Sequence, residues 1–396
     1  MKPIDFLSLF LILIILSCNK QEDKLYKIDP RTFIENKINL SDIADEIKYI
    51  PLDNSISFMN FKYVITPGAI YVAAKGIGIL KFNLEGKLIK KIGARGKGPG
   101  EFWYGMNFTV DDITGNVFVL DPGKVKVYSP SGIFLRDILL KEYASGYGFR
   151  DLEIYNSLLF FPDYLPRGDS KYCWVFLDTL GHLVAKKENS VPPFQSGIET
   201  QGCIFKFGNK LYYYNYFNDT IFSISPNLSN SGAYLFAKGD HRWPKERIEI
   251  TLNSSFNSQL YKLFRPGRMF ETKKYIVLEY AYLDRWAISL IDKKSKKTFL
   301  STKYEEILGS KGISKACIVN DIDGGIPLED INYYFENNNE YITTLLNPFK
   351  LKAYVASEVF KNSTPKYPEK KKELEKLAYS LKETDNPVLV LVKLKN

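Results

Sequence analysis

The residues best placed to do chemistry cluster in Ala94-Arg-Gly-Lys-Gly-Pro-Gly-Glu-Phe-Trp103, which carries Arg95, Lys97, Glu101 and Trp103. A glycine-rich run can cradle a phosphate with backbone N–H groups, and cations beside an indole can hold an acidic or sugar ligand. The run lacks the Gly-Lys-Ser/Thr ending of a P-loop and opens no clear helix. The simpler reading is a tight crossing in which glycine supplies an unusual φ. Asp321-Ile-Asp323-Gly-Gly is half of a calcium loop. It lacks a third oxygen ligand and a well-placed glutamate, so an Asx turn is the simpler reading. Histidine is scarce: His182 follows Gly181 in a turn, and His241 beside Asp240 is the better functional candidate. Neither has a metal-type His spacing, no Gly-x-Ser-x-Gly elbow is present, and no catalytic residue is assigned. Aromatic residues at strand ends and in loops can stack on sugar rings. Tyr147, Tyr212–Tyr214 and Tyr216 read mainly as packing, whereas Trp103, Tyr164 and Trp243 read as binders. The candidate ligand-binding set is Arg95, Lys97, Glu101, Trp103, Tyr164, His241 and Trp243.

These residues must be carried by strands. Short apolar runs closed by Gly, Asn or Asp recur in pairs. The pairs are 69–74 with 79–82, 117–121 with 125–128, 158–161 with 173–177, 211–214 with 220–224, 275–280 with 286–291, and 341–346 with 388–392. The turn after each second member falls at Gly86, Gly132, Gly181, Asn227 and near Lys294. The spacing is 46–49 residues, stretched once where Pro244 to Phe264 is inserted. A repeat of that length holding four short strands is a propeller blade, and six fit. The predicted fold is therefore all-β, a six-bladed β-propeller over 47–396, with strands 47–52 and 388–394 sharing the closing blade. Two short helical insertions are expected, one opening at Trp243-Pro and one over Pro368 to Lys382 with Leu374, Leu377, Ala378 and Leu381 on one stripe.

Residues 1–17 read as an address. Lys2 precedes an apolar run from Phe6 to Leu16, too short to span a bilayer comfortably, which ends in Ile15-Leu-Ser-Cys18. That ending resembles the lipobox of bacterial lipoprotein signal peptides, with Cys18 lipidated as the first mature residue. The following Asn19-Lys-Gln-Glu-Asp23 resembles the charged signal that sends some such proteins to the outer membrane surface. Residues 18–46 are then a lipidated tether and lead-in. Cys173, Cys203 and Cys317 remain, odd in number and without a C-x-x-C pair, so neither a disulfide framework nor structural zinc is expected. Net charge is +9, but the basic residues are scattered among acids and form no nucleic-acid footprint.

Ile50-Pro-Leu52, Gly96-Lys-Gly-Pro-Gly-Glu-Phe102, Asn218-Asp-Thr-Ile-Phe222, Asp321-Ile-Asp-Gly-Gly-Ile-Pro327 and Asp385-Asn-Pro-Val-Leu389 span nearly the whole mature chain. Together they resemble the six-bladed β-propeller lipoproteins of Bacteroidetes, a domain family of unknown function, and the blades are similar to NHL-type repeats. The resemblance implies a propeller on a lipid anchor in the cell envelope and carries over no catalytic residue. The expected function is non-enzymatic: a propeller face presented to a glycan, peptide or envelope protein, with no cofactor. The alternative is a lactonase-type hydrolase or lyase. In it, Asp121, Asp163, Asn215 and Glu279, at the ends of predicted inner strands, would hold Ca2+ or another divalent cation in the channel, on fold analogy alone.

Overall fold

The computed structural model describes residues 25–59, 61–144, 148–164, 170–190, 202–215, 218–242, 262–301 and 316–395. Six antiparallel sheets form a ring of blades. Blade 1 consists of Phe61–Thr66, Ala69–Ala74, Gly78–Phe82 and Leu88–Ile92. Blade 2 consists of Asn107–Val110, Val117–Asp121, Lys124–Tyr128 and Phe134–Leu139. Blade 3 runs from Glu153–Tyr155 to Leu183–Glu188, blade 4 from Gly202–Phe207 to Asn230–Phe236, and blade 5 from Arg265–Glu271 to Thr298–Ser301. Blade 6 pairs Asn332–Glu336, Asn339–Leu346 and Val388–Leu394 with Ala44–Pro51 as its outermost strand. The first strands of neighbouring blades touch around the axis, so each blade is laid down from the channel outwards.

The strand pairs expected from sequence are the two middle strands of each blade. They carry the core because both faces of each sheet meet a neighbouring blade. All six residues of Ala69–Ala74 and all five of Val117–Asp121 are buried. Outer strands such as Leu183–Glu188 are mostly exposed. The apolar clusters are correspondingly layers between blades, one pooling Phe118, Val127, Leu159 and Val175 of blades 2 and 3, another Ile79, Ile92, Phe108 and Val119 of blades 1 and 2. Each such side chain stabilises the ring by about 1.5–3 kcal/mol.

The outer hairpins share one turn. Asn83 accepts from the backbone N–H of Glu85 and Lys87, and Asp178 accepts from those of Leu180 and His182. The left-handed residue is Gly86, Gly132 or Gly181; in the next two turns it is Leu228 and Lys296, one residue beyond the expected Asn227 and two beyond Lys294. Gly86 is required twice over, because its φ is +84° and a Cβ would lie 2.2 Å from the Pro51 carbonyl oxygen.

The stretch expected as a tether becomes a strap within its described part. Tyr26–Ile28 lies parallel along the outer strand of blade 4, Glu35 bridges Leu300 of blade 5, and Asn39 bridges Val319. After a short helix, Leu40–Ile43, the chain enters the closing strand. Pro51 tolerates that position because an outermost strand has one unpaired edge. The closing pairs run from Pro51↔Val388 to Ala44↔Leu394, as expected from sequence.

The insertion between the second and third strands of blade 6 holds three helices rather than one: Pro348–Ala356, Glu358–Asn362 and Pro368–Ser380. Leu374 and Ala378 of the last are buried, which confirms its stripe. The first opens on Asn347, whose side chain accepts from the Phe349 N–H, with Pro348 in the first turn. The expected insertion opening at Trp243 and residues 1–24 lie outside the described residues. Among the described residues no helix is long and apolar enough to cross a membrane.

Candidate functional site

Residues 93–106 connect the outer strand of blade 1 to the inner strand of blade 2, so the glycine-rich run is an inter-blade crossing. It folds back on itself: the Phe102 N–H donates to the Ala94 carbonyl (2.9 Å) and the Gly96 N–H to that of Phe102 (3.1 Å). Phe102 is buried edge-on against Tyr128, whose hydroxyl donates to the Gly100 carbonyl at 2.8 Å. A Cβ on Gly105 would lie 2.1 Å from the Phe102 ring. The Glu101 carboxylate sits inside the loop and accepts from the Gly98 N–H at 2.8 Å. It occupies the place an anion would take, so this backbone is not a phosphate cradle.

With Phe102 buried, the next two residues turn outward. Asp121 Oδ1, at the end of the second strand of blade 2, accepts from the N–H groups of Trp103 (2.8 Å) and Tyr104 (3.2 Å). Pinned in this way, Trp103 stays 52 % exposed and Tyr104 58 %. The Arg95 guanidinium and the Lys97 ammonium lie over the Trp103 ring, 5.2 and 5.7 Å from its centroid. Gly96, Lys97, Glu101, Trp103, Asp121, Pro122, Lys124 and Lys126 enclose a concavity of about 300 Å3.

The charge on this shelf is not balanced. Lys124 and Lys126 are both held by Asp137, at 3.0 and 3.1 Å. Burial raises the Asp137 carboxyl, but the two lysine hydrogen bonds outweigh it and hold the group below its ordinary range. Arg95 and Lys97 are exposed and lean only on the indole, with no carboxylate partner among the described residues. With Glu101, Asp121 and Asp137 set against Arg95, Lys97, Lys124 and Lys126 the shelf carries one net positive charge, and an aromatic face beside two exposed cations suits a ligand with a flat apolar face and an anionic group.

The structure thus brings Arg95, Lys97, Glu101 and Trp103 together and adds Asp121, Pro122, Lys124 and Lys126. The other expected binders lie elsewhere. Tyr164 is a correction: it is buried against Gly202 and donates to Asp151 at 3.1 Å. Burial pushes its phenol well above the ordinary value. His241 is also buried, edge-on to Tyr282, and neither ring nitrogen has a hydrogen-bond partner among the described residues. Burial, and then Arg31, lowers its pKa. His182 pairs with Asp178 in an outer turn. Trp243, Tyr147 and Tyr216 lie outside the described residues.

The four channel candidates need correcting too. Asp121, Asp163, Asn215 and Glu279 lie on or just after second strands, with a further strand between each and the axis. The Asp121 carboxylate is taken by the two N–H groups above. Glu279 accepts from the Ile331 N–H at 3.1 Å and lies 3.8 Å from Arg268. The innermost strands and their leads supply Lys62 with Asp151 (3.6 Å) and Lys206 with Glu153 (3.1 Å), acid matched to base. Among the described residues no three His, Cys, Asp or Glu come together as a metal cluster.

Asp321 and Asp323 serve the strap. Asp321 accepts from the Ser41 N–H (2.8 Å) and hydroxyl (2.5 Å), and Asp323 from the Tyr49 hydroxyl (2.8 Å) and the Gly325 N–H (2.9 Å). Asn386 joins the two chain ends, donating to the carbonyls of Asp53 and Ile56 and accepting from the Phe58 N–H. Four of the five motifs that resemble the propeller family are therefore closure or crossing points; the fifth, Asn218 to Phe222, leads into the third strand of blade 4.

A Bacteroides fragilis protein described as exported has a solved structure that superposes with a TM-score of 0.64 at 19 % identity, covering 92 % of this chain and all of that one. A member of the DUF4221 family from Bacteroides vulgatus gives 0.48 at 12 %, covering 89 % of this chain and 97 % of that one. The first shows the shared fold alone. No curated protein matches the sequence. The family described as Domain of unknown function (DUF4934) matches residues 25–393, from the strap to the closing strand. The chain belongs to that family, a Bacteroidetes-type six-bladed β-propeller domain.

Proposed function

We propose that this protein is a lipid-anchored envelope protein, held at the outer membrane through Cys18, whose propeller binds an acidic glycan. The observation that carries the binding reading is Trp103, half exposed on a backbone pinned by Asp121 and flanked by Arg95 and Lys97. A sugar ring would stack on the indole while its carboxylate meets the two cations. The envelope placement draws support from the exported Bacteroides fragilis neighbour and from the lipobox-like Ile15-Leu-Ser-Cys18.

The test is calorimetric titration of the mature chain with uronate oligosaccharides and with neutral oligosaccharides of the same length. Binding of the acidic series, weakened by salt and lost in Trp103→Ala, is the expected result. Equal binding of both series, or binding indifferent to Trp103→Ala, refutes the site. Mass spectrometry of the mature N-terminus tests the anchor separately; an unmodified Cys18 refutes it.

A further inference from the structure

The strap divides the rim of the ring into two halves. On blades 4 and 5 the outer strands are overlaid by Tyr26–Ile28 and bridged by Glu35, and blade 6 ends on the strap's own continuation. Among the described residues these three outer strands expose no large apolar side chain. Blades 2 and 3 differ. Their outer strands and turns expose Ile133, Leu135, Leu139, Leu180, Leu183 and Val184. The two edges are contiguous, because Arg136 donates to the Thr179 carbonyl and a Cβ on Gly181 would meet Ile138 at 2.7 Å. A cluster of aliphatic groups of this kind on a rim marks a contact surface.

We infer that this bare rim rests on the lipid bilayer that carries the anchor. The proposal depends on lipidation of Cys18. Chain length favours the occupant: only six residues separate Cys18 from Leu25, so the lipid is within about 25 Å of Leu25. Leu25 lies against the outer strand of blade 4, where a Cβ on Gly232 would meet its side chain at 2.7 Å. The rim of blade 3 is next to it, with Lys187 over the Phe222 ring of blade 4 at 4.6 Å. A tether this short holds the disc at the membrane by its blade 3–4 edge. Lys186 and Lys187 in the outermost strand oppose addition of a partner's strand. Lys186 is paired with Glu188 at 2.9 Å and Lys187 lies over the Phe222 ring, so Leu183 and Val184 are the groups of this strand that enter the interface.

The test uses the mature chain, in a Cys173→Ser background, coupled through Cys18 to a maleimide lipid in vesicles of phosphatidylethanolamine and phosphatidylglycerol. Hydroxyl-radical labelling is compared with the same chain free in solution. Labelling of Leu135, Leu139, Leu183 and Val184 should fall at least threefold on vesicles, while Phe349 and Val359 of the helical insertion stay unchanged. Leu139→Asp combined with Leu183→Asp, both at exposed positions, should abolish that protection without moving the thermal midpoint. Protection spread evenly, or centred on the helical insertion, overturns the proposal. Because the lipid is supplied chemically, a negative result here is distinct from a failure of Cys18 to be acylated in cells.

Discussion

Asn386 provides a quantitative test of how the ring is closed. Its side chain is 2 % exposed, donates from Nδ2 to the carbonyls of Asp53 (2.6 Å) and Ile56 (2.8 Å), and accepts from the Phe58 N–H (3.0 Å). Asn386→Ala deletes all three hydrogen bonds at a site with little access to water. At about 1 kcal/mol each, plus desolvation of the groups left behind, the loss comes to about 3–4 kcal/mol. For a domain of this length the unfolding entropy is about 0.8 kcal/mol per degree, so the midpoint should fall by about 4–5 °C. Asn386→Asp sharpens the test. It keeps the acceptor for Phe58 but turns an anionic oxygen towards two carbonyl oxygens, which raises the folded carboxyl pKa. A raised folded pKa means that the native state binds the proton more tightly than the unfolded chain. Relative to the parent, its stability is therefore highest in acid and falls as pH rises through 4 and above. Urea denaturation at pH 4 and pH 7 reads both variants. An alanine variant within about 1 kcal/mol of the parent, or an aspartate variant that follows the parent's pH profile, refutes the assignment of Asn386 as the closing clasp.

Other outcomes follow from the same geometry. Trp103→Ala should weaken acidic-glycan binding at least tenfold with the melting point unchanged, because the indole stands in solvent; calorimetry and a thermal melt read the two effects. Burial raises the Asp323 carboxyl despite its hydrogen bonds from Gly325 and Tyr49. This group's own contribution should therefore fall as pH rises through the carboxylate range, so Asp323→Asn should gain stability relative to the parent between pH 3 and pH 7, a difference read from melts of both at the two pH values. Gly86→Ala, with its Cβ 2.2 Å from the Pro51 oxygen, should cost more than about 3 kcal/mol, whereas Gly123→Ala, where nothing lies within 4 Å, should cost only the left-handed penalty of about 1 kcal/mol. Parallel urea titrations compare them, and equal losses would count against the Pro51 contact.

The middle strands of every blade were legible because they are buried on both faces and read as apolar runs such as Ala69-Ile-Tyr-Val-Ala-Ala74. Strands lining the channel were not. Arg265-Pro-Gly-Arg-Met-Phe-Glu271 places polar and turn-forming residues where the channel wants charge and the neighbouring blade wants little bulk. Without that innermost layer, second strands read as inner ones, and Asp121 and Glu279 as channel ligands. The helix Pro348–Ala356 was missed because Phe349-Lys-Leu-Lys-Ala-Tyr alternates like a strand; the Asn347-Pro348 start was the available signal. The shelf around Trp103 was half legible, since Arg95 to Trp103 are contiguous while Asp121, Lys124 and Lys126 arrive by folding. Tyr164 looked exposed because it precedes a loop, yet Gly202 leaves room for its ring.

The closing strand also sets an order of events. Ala44–Pro51 is made early, and its partner Val388–Leu394 lies roughly 340 residues later, at the far end of the domain. Blades 1 to 5 can form as local meanders while the chain is still emerging. The ring becomes whole only once the last strand is available. Until then Ile47 and Ile50 lack their partners Val392 and Leu389, and the first and last blades stay open. Completion of the domain is tied to the arrival of its last residues, and every earlier stage leaves the first and last blades without their shared edge.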